Sequence, residues 1–448
     1  MSSIDTATLF SGQGIDVTSA VNQLVTAARA PETAWQQQQQ ALQSQGSALN
    51  QLNSDLSNLL DKINALKDIS GALGAVNTTS SNSSVATVTA QPGSASGSHV
   101  LVVTNLASTS SYYTDPVATS STPLTDGSSF TIQVGAGSPT TITLDSTDDT
   151  LQTLATKIND LGLGVTANVV TDATGARLAL VANNSGEASD ITVSSDTTGL
   201  NFTKAVTGTN AALTVDGVPV SSASNSVSGV VAGLTFNLVG SAPNTEVTVG
   251  VASDTSAAVS AVNDFVSAYN TAIQDLNAQF TYSAGSQTSG PLSADTNARL
   301  VQQQLLSFAS LSVSGAGSFS TLGSLGISMN NDGTLTVDAP TLNNAVSGNY
   351  QDVKNFFQSA SGFATNLSGQ LSQLTDPTEG AFYVEIKQDQ TTYKGLQSQI
   401  DDLETYIASE QTQWLAMYNQ INVTLQQLPL LEQQINAELS FTNTKSNS

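Results

Sequence analysis

An alternation of three and four runs through the last part of this chain. Apolar residues fall at Tyr393, Leu396, Ile400, Leu403, Ile407, Trp414, Met417, Ile421, Leu428, Leu431 and Ile435, with polar Glu410 and Thr424 at two positions of the same series. That spacing is a heptad seam, the stripe one helix offers another in a coiled coil. A strand cannot use it, because strands repeat every two residues. A seam needs a partner, and Trp35, Leu42, Leu49, Leu52, Leu56, Leu59, Ile63 and Leu66 keep the same register near the other end. The two ends are therefore expected to pair, residues 35–66 against 393–417, with the middle of the chain looped out between them.

Other features qualify that pairing. Val17, Val21, Leu24, Val25 and Ala28 form a separate stripe of period 3.6 behind Asp16, a good N-cap residue. Pro31 permits a bend or a fresh helix start. Pro429 is expected to kink or end the C-terminal helix. The segment around and beyond it, with Leu428, Leu431 and Ile435, would then join the Val17 stripe. The run Gln36 to Gln40 reads as solvated helix surface, and residues 1–14, with Gly12 and Gly14, as a flexible lead.

Between the ends the period falls to two. Residues 85–89, 99–103, 165–170 and 177–181 read as strands, and residues 128–144 as a hairpin. Leu151, Leu154, Ile158 and Leu161 mark a short helix, with Asp145, Asp148 and Asp149 as its expected caps. Turn signals stand at Asp216-Gly217 and Pro243-Asn244. Helices return behind Asp254, with Val262, Phe265, Val266, Tyr269, Ile273 and Leu276 on one face, and again at 295–311, 341–357 and 362–374. A hairpin turns at Asn331-Asp332-Gly333.

The predicted fold is thus α+β and multidomain: paired N- and C-terminal helices forming a coiled-coil leg, with β-rich head domains inserted between them. The division is 1–34 with 418–448 as a terminal helical segment facing a partner. Residues 35–70 with 254–417 form the leg domain, 71–106 with 205–253 one β-rich head domain, and 107–204 a second.

Composition narrows the chemistry. Acidic residues outnumber basic ones 35 to 11, for a net charge of -24, so phosphate backbones and anionic lipids repel the chain and nucleic-acid binding is not expected. There is no cysteine, which excludes disulfides and thiolate metal sites. No apolar run is long enough to insert in a membrane, and the start lacks the basic and apolar regions of a cleaved Sec signal. The single histidine, His99, alternates with Val100 and Val102 and has no triad around it. Ser328, Asn330 and Asp332 before Gly333 resemble the start of a calcium loop, but the twelfth position is Ala339, where an acidic ligand is needed. No cofactor, metal or catalytic constellation is expected.

Five blocks in order carry a resemblance. They are Gly14-Ile15-Asp16-Val17 leading to Pro31; residues 128–193 with 151–159 and Gly164-Val165; Gly208 to Ala211 with 213–218 and 233–238; Val262 to Val266 with Tyr269-Asn270 and Pro291-Leu292; and Leu325-Gly326-Ile327 with Asp332 to Leu335, Asp338 and Phe356-Phe357. Together they resemble the bacterial flagellar filament-cap proteins, the hook-associated protein 2 family. The second block looks like the repeat motif shared by flagellin and hook-associated proteins. The chain departs from the pattern at Arg29-Ala30 before Pro31 and at Pro429.

The resemblance implies a structural protein, not an enzyme, at the distal tip of the flagellum. Copies would form a homo-oligomeric ring that retains exported flagellin and promotes its folding and insertion. Implied partners are flagellin, hook-associated junction proteins, the type III export apparatus and an export chaperone, with a role in adhesion also suggested. Export would need no cleaved signal. Another flagellar axial protein, at the hook–filament junction, and a secreted stalked adhesin are the alternative readings.

Overall fold

The computed structural model of the chain describes residues 16–147, 149–283 and 288–445. The glycine-containing lead at 1–14 and Asp148 lie outside them.

Two helices open the chain. Asp16 accepts the Ser19 amide at 3.0 Å and starts α1, Val17–Ala28. After Arg29 the backbone resumes as α2, Ala30–Lys67, with Pro31 in the first turn, where its missing N–H costs nothing. Then β1 (Val76–Ser80), β2 (Ala86–Ala90) and β3 (Gly97–Asn105) enter the head. They are followed by β4 (Ser111–Tyr113), β5 (Ser129–Val134) and β6 (Thr140–Thr143). The helix α3, Leu151–Asp160, precedes β7 (Val165–Asp172), β8 (Gly175–Ala182), β9 (Ile191–Ser194) and β10 (Thr203–Val206). The head closes with β11 (Ala211–Val215), β12 (Val218–Ser222), β13 (Ser226–Ser228), β14 (Leu234–Leu238) and β15 (Val247–Ser253).

The chain then returns to helix. Asp254 caps α4, Thr255–Phe280, and Asp295 caps α5, Thr296–Ala309. The short pair β16 (Tyr282–Ser283) and β17 (Thr288–Ser289) lies between them, and β18 (Ile327–Met329) with β19 (Leu335–Val337) after them. Next come α6 (Ala339–Gly348), α7 (Tyr350–Gln358), α8 (Phe363–Leu374) and the long α9, Ala381–Lys445.

Three hydrophobic cores organise these elements. The first joins Leu49 to Leu66 of α2 with α4, α5, α6, α7 and α8 and the first turns of α9. Its centre is aromatic: Phe363 stacks on Phe356 at 5.7 Å and meets Phe265 edge-on at 5.6 Å, the offset and T-shaped geometries that ring quadrupoles favour. The second core lies between the sheet β10-β4-β8-β7, the sheet β6-β5-β9 and α3. The third is sandwiched between β1-β15-β3-β11-β12 and β13-β14-β2. All paired strands are antiparallel, and alternate residues face the cores.

The head joins the leg through two adjacent strands. Val76 of β1 pairs with Ser253 of β15, and the Asp254 amide donates to the Ala75 carbonyl at 2.9 Å. The chain leaves and re-enters the leg at one place, so the head is an insertion. Tyr350 OH donates to the Leu73 carbonyl at 3.1 Å, and Gln358 donates to Leu66 and Asp68 carbonyls. Leg helices thereby hold the crossing.

Four sequence expectations need correction. The cap of α3 is Thr150, in a reciprocal capping box with Thr153, and not the preceding acids. Asp145 instead accepts from Thr147 and lies 3.7 Å from the Lys157 ammonium. Residues 341–357 form two helices rather than one, because Asn349 takes φ -137° and ψ 47° and breaks the ladder. Gln36, Gln37, Gln38 and Gln40 are exposed as expected, but Gln39 is buried at 8% exposure. Pro429 lies inside α9 and does not end it. The Leu425 carbonyl loses its partner there, which is tolerable on an exposed helix where water replaces it.

Candidate assembly interface

Three helices, α1, α2 and α9, run along the leg and change partners along their length. Low on α2, Leu49, Leu52, Leu56, Leu59, Ile63 and Leu66 are buried in the first core, against α4 and α8 as well as α9. Only the upper part of α2 faces α9 as a two-helix pair. There Gln39 Nε2 reaches the Tyr393 carbonyl at 3.4 Å and Gln397 Oε1 at 3.2 Å, and Gln43 Nε2 reaches Tyr393 OH at 3.1 Å. Arg29 meets Glu404 at 2.8 Å. Partner numbers fall on one helix as they rise on the other, so the pair is antiparallel. Contacts run from Gln43–Tyr393 to Arg29–Glu404, so residues 393–404 meet the upper part of α2, while Leu49 to Leu66 serve a larger core.

Trp35 and Leu42 on α2 are half-buried, as are Tyr393, Leu403 and Trp414 on α9. Leu396, Ile400 and Ile407 are buried, Ile407 at 2% exposure. Gln45 occupies the seam position between Leu42 and Leu49, and beside it the Cβ that Gly46 lacks would meet nothing within 4 Å. A cleft of about 330 Å³ opens beside it, lined by Leu42, Asn50, Ile386, Asp389 and Tyr393 among others. The two-helix section is thus glutamine-rich and incompletely filled, which favours adjustable contacts over tight ones.

Above this, α1 packs on α9. Val21 and Val17 are buried, and Leu24 and Val25 half-buried. The Arg29–Glu404 contact and the antiparallel run put this packing before Pro429. The segment beyond Pro429 does not join the Val17 stripe.

What remains is uncovered. Met417 is 48% exposed, Ile421 42%, Leu428 46%, Leu431 53% and Ile435 50%. Steps of four, seven, three and four keep them on one side of α9, a stripe about 27 Å long at 1.5 Å per residue. Val423, Leu430 and Leu439 add exposed apolar surface. A soluble single chain rarely leaves so long an apolar ridge in water. Such a ridge suits helix-against-helix assembly.

Elsewhere, chemistry is sparse. His99 Nδ1 lies 2.7 Å from Asp216 Oδ2 and edge-on to Phe236, while Asp216 Oδ1 accepts the Val100 amide. Asp216 is held below its usual range first by the His99 bond and then by that amide. The pair anchors a hairpin turn at Asp216 (φ 49°) and Gly217 (φ 81°), the left-handed conformation that a two-residue hairpin demands. Asp332 likewise accepts from the Thr334 amide and hydroxyl inside its own turn. Among the described residues no three acidic or histidine groups are placed to hold a metal ion. No described helix is long and apolar enough to cross a membrane.

The family model for the flagellar hook-associated protein 2 N-terminus matches residues 13–110, and that for its C-terminus residues 208–429. The chain belongs to the flagellar hook-associated protein 2 family. Between the two matches, a flagellin hook IN motif covers residues 129–184, the stretch from β5 to β8. Two relatives agree in extent. The B-type flagellar hook-associated protein 2 of Pseudomonas aeruginosa is 27% identical over 394 residues, spanning 81% of this chain and 82% of that protein. The flagellar hook-associated protein 2 of Escherichia coli is 27% identical over 361 residues, spanning 75% and 76%. The crystallised three-domain form of the flagellar cap protein FliD from Escherichia coli superposes with a TM-score of 0.65 at 27% identity. It covers 76% of this chain and 99% of that one.

For this family the residues that sequence reasoning missed are polar or absent side chains. Gln39 sat inside a run with no apolar signal, and Gly46 offers no side chain. A gap of seven between Leu42 and Leu49 was the available clue to both the hole and its place.

Proposed function

We propose that this chain caps the distal end of a bacterial flagellar filament, as a ring of copies that retains exported flagellin and aids its insertion. The carrying observation is the apolar ridge from Met417 to Ile435, about half exposed on α9 among the described residues. Family membership gives that ridge a setting: a filament end where helices of neighbouring subunits can cover it. The three cores are compatible with a division of labour. Residues 71–106 with 205–253, and 107–204, serve as the head; residues 35–70 with 254–417 serve as the leg; and the segments near the two ends serve as the contact with the filament. In this reading the loosely filled α2–α9 section lets the leg shift as each new flagellin enters. Passage through the flagellar export route would need no cleaved signal, and the absence of cysteine and scarcity of charge suit a chain exported unfolded.

Deletion of the gene is the test. Cells should shed monomeric flagellin into the medium and lack filaments, and re-expression should restore both. Normal filaments in the deletion strain would remove the cap reading and favour a different axial position.

A further inference from the structure

The base of the leg buries more carboxyl oxygens than it supplies with donors. Asp295, 8% exposed, uses Oδ1 to accept the Asn297 and Ala298 amides at 2.7 and 3.0 Å. Its Oδ2 is out of water and meets no donor. Asn297 brings Glu385, in the first turns of α9, beside Asp295: the Asn297 amide donates to Asp295 and its Nδ2 donates to Glu385 at 3.0 Å. One turn further, Asp389 carries another buried oxygen without a donor. The α2 residues beside them, Gln43, Gly46, Ser47 and Asn50, bear no charge.

Nearby cations are engaged or turned elsewhere. Arg299 of α5 donates to the Ser293 carbonyl and lies over the Phe280 ring. Lys387 lies over Tyr383. Lys394 lines the same cleft as Asp389 but makes no ion pair with it within 4.0 Å.

A second pair repeats the arrangement. Asp55 of α2, 7% exposed, accepts Gln51 Nε2 at 3.0 Å on Oδ1, and its Oδ2 has no donor. The helix α4, packed on α2, carries Asp275, whose charge acts on Asp55. The cation on this side, Lys62, pairs with Asp264 at 3.4 Å, about two turns along.

Two neighbouring carboxyl groups, one buried and the other half-buried, resist ionising together unless something neutralises them. A metal or a proton can do so, and no three acidic groups among the described residues are placed for a metal. We propose that Glu385 and Asp55 each keep a proton and donate it to the neighbouring carboxylate, Asp295 and Asp275. The two bonds clasp α9 to α5 and α2 to α4, and the clasp releases as pH rises.

Burial is the first cause pushing Glu385 up to about 7, with Asp295 adding to it against the Asn297 bond. Burial, then Asp275, pushes Asp55 up to about 6. Burial raises Asp389 as well. A carboxyl raised in the folded state stabilises the fold below its unfolded pKa and loses that contribution as pH climbs through the folded value. The contribution is therefore greatest near about pH 4 and is lost as pH climbs to about 6 for Asp55 and about 7 for Glu385. The inference stands whether or not the chain caps a filament.

The test melts the full chain from about pH 5.5 to about pH 8.5, followed by the helical circular-dichroism signal, which reports the leg. EDTA is present throughout, and a parallel series contains calcium. The wild-type midpoint should fall by about 5 °C over that range. The E385Q and D55N variants can donate the same bonds from an amide that does not titrate. Each should flatten the fall, and the double variant most, while H99Q in the head should leave it unchanged. Equal slopes in all variants overturn the proposal. So does a calcium-dependent rise at high pH that E385Q abolishes, which would make the neutralising species a cation. If the variants fold poorly, infrared spectroscopy of the wild type decides: a protonated-carboxyl band persisting to about pH 6.5 supports the clasp, and its absence overturns it.

Discussion

The uncovered ridge on α9 gives the sharpest mutational prediction. Leu428, Leu431 and Ile435 leave 46%, 53% and 50% of their surface in water. Covering a whole aliphatic side chain contributes about 1.5–3 kcal/mol, so the exposed halves hold about 1 kcal/mol each. Replacing all three with Asp should weaken assembly by at least about 3 kcal/mol, roughly a hundredfold. Desolvating three carboxylates adds to that loss. The free protein should scarcely notice, because exposed substitutions shift stability by about 0.5 kcal/mol or less. The assay pairs thermal melting of the purified variant with its ability to restore filaments in the deletion strain. Glutamates at Gln426 and Gln433, also exposed on α9, serve as the charge control. Full restoration of filaments by the triple variant would refute the reasoning. So would a melting point lowered by several degrees, since the three residues would then belong to the fold rather than to an interface.

Other substitutions probe the leg and head separately. Gly46→Ala adds a methyl into empty space in mid-helix and should stabilise the leg by about 0.5–1 kcal/mol, read by chemical denaturation. Phe363→Ala empties the centre of the aromatic cluster and should cost about 3–5 kcal/mol in the same assay. Arg29→Ala removes a partly exposed pair with Glu404; the loss should be under about 1 kcal/mol and vanish in high salt. Thr150→Ala deletes the α3 cap and should lower head stability by about 1 kcal/mol, seen as faster amide exchange in residues 151–160.

The heptad step was legible because one side of a helix must be apolar wherever another helix covers it. It announced that Ile400 and Ile407 would seek cover and could not say which helix would provide it. Leu49 to Leu66 obey the same spacing yet face α4 and α8, since a heptad stripe and the stripe of a globular core differ little in period. Asp216-Gly217 was readable as a turn because its backbone angles admit few residues. Thr150 lost to the neighbouring acids as a cap on sequence grounds, because which hydroxyl or carboxylate meets the N3 amide depends on backbone angles. Pro429 was misleading for a different reason: the cost of a proline depends on whether water can reach the carbonyl it orphans. The carboxyl pairs at Glu385 and Asp55 were invisible, as each joins residues far apart in the chain.

Electron microscopy of filament tips tests the central claim most directly. Cells expressing the chain with an epitope in the exposed turn at Asp216-Gly217 should show the label at the distal end of each filament, and only there. Label along the filament shaft, or at its junction with the hook, would contradict the account.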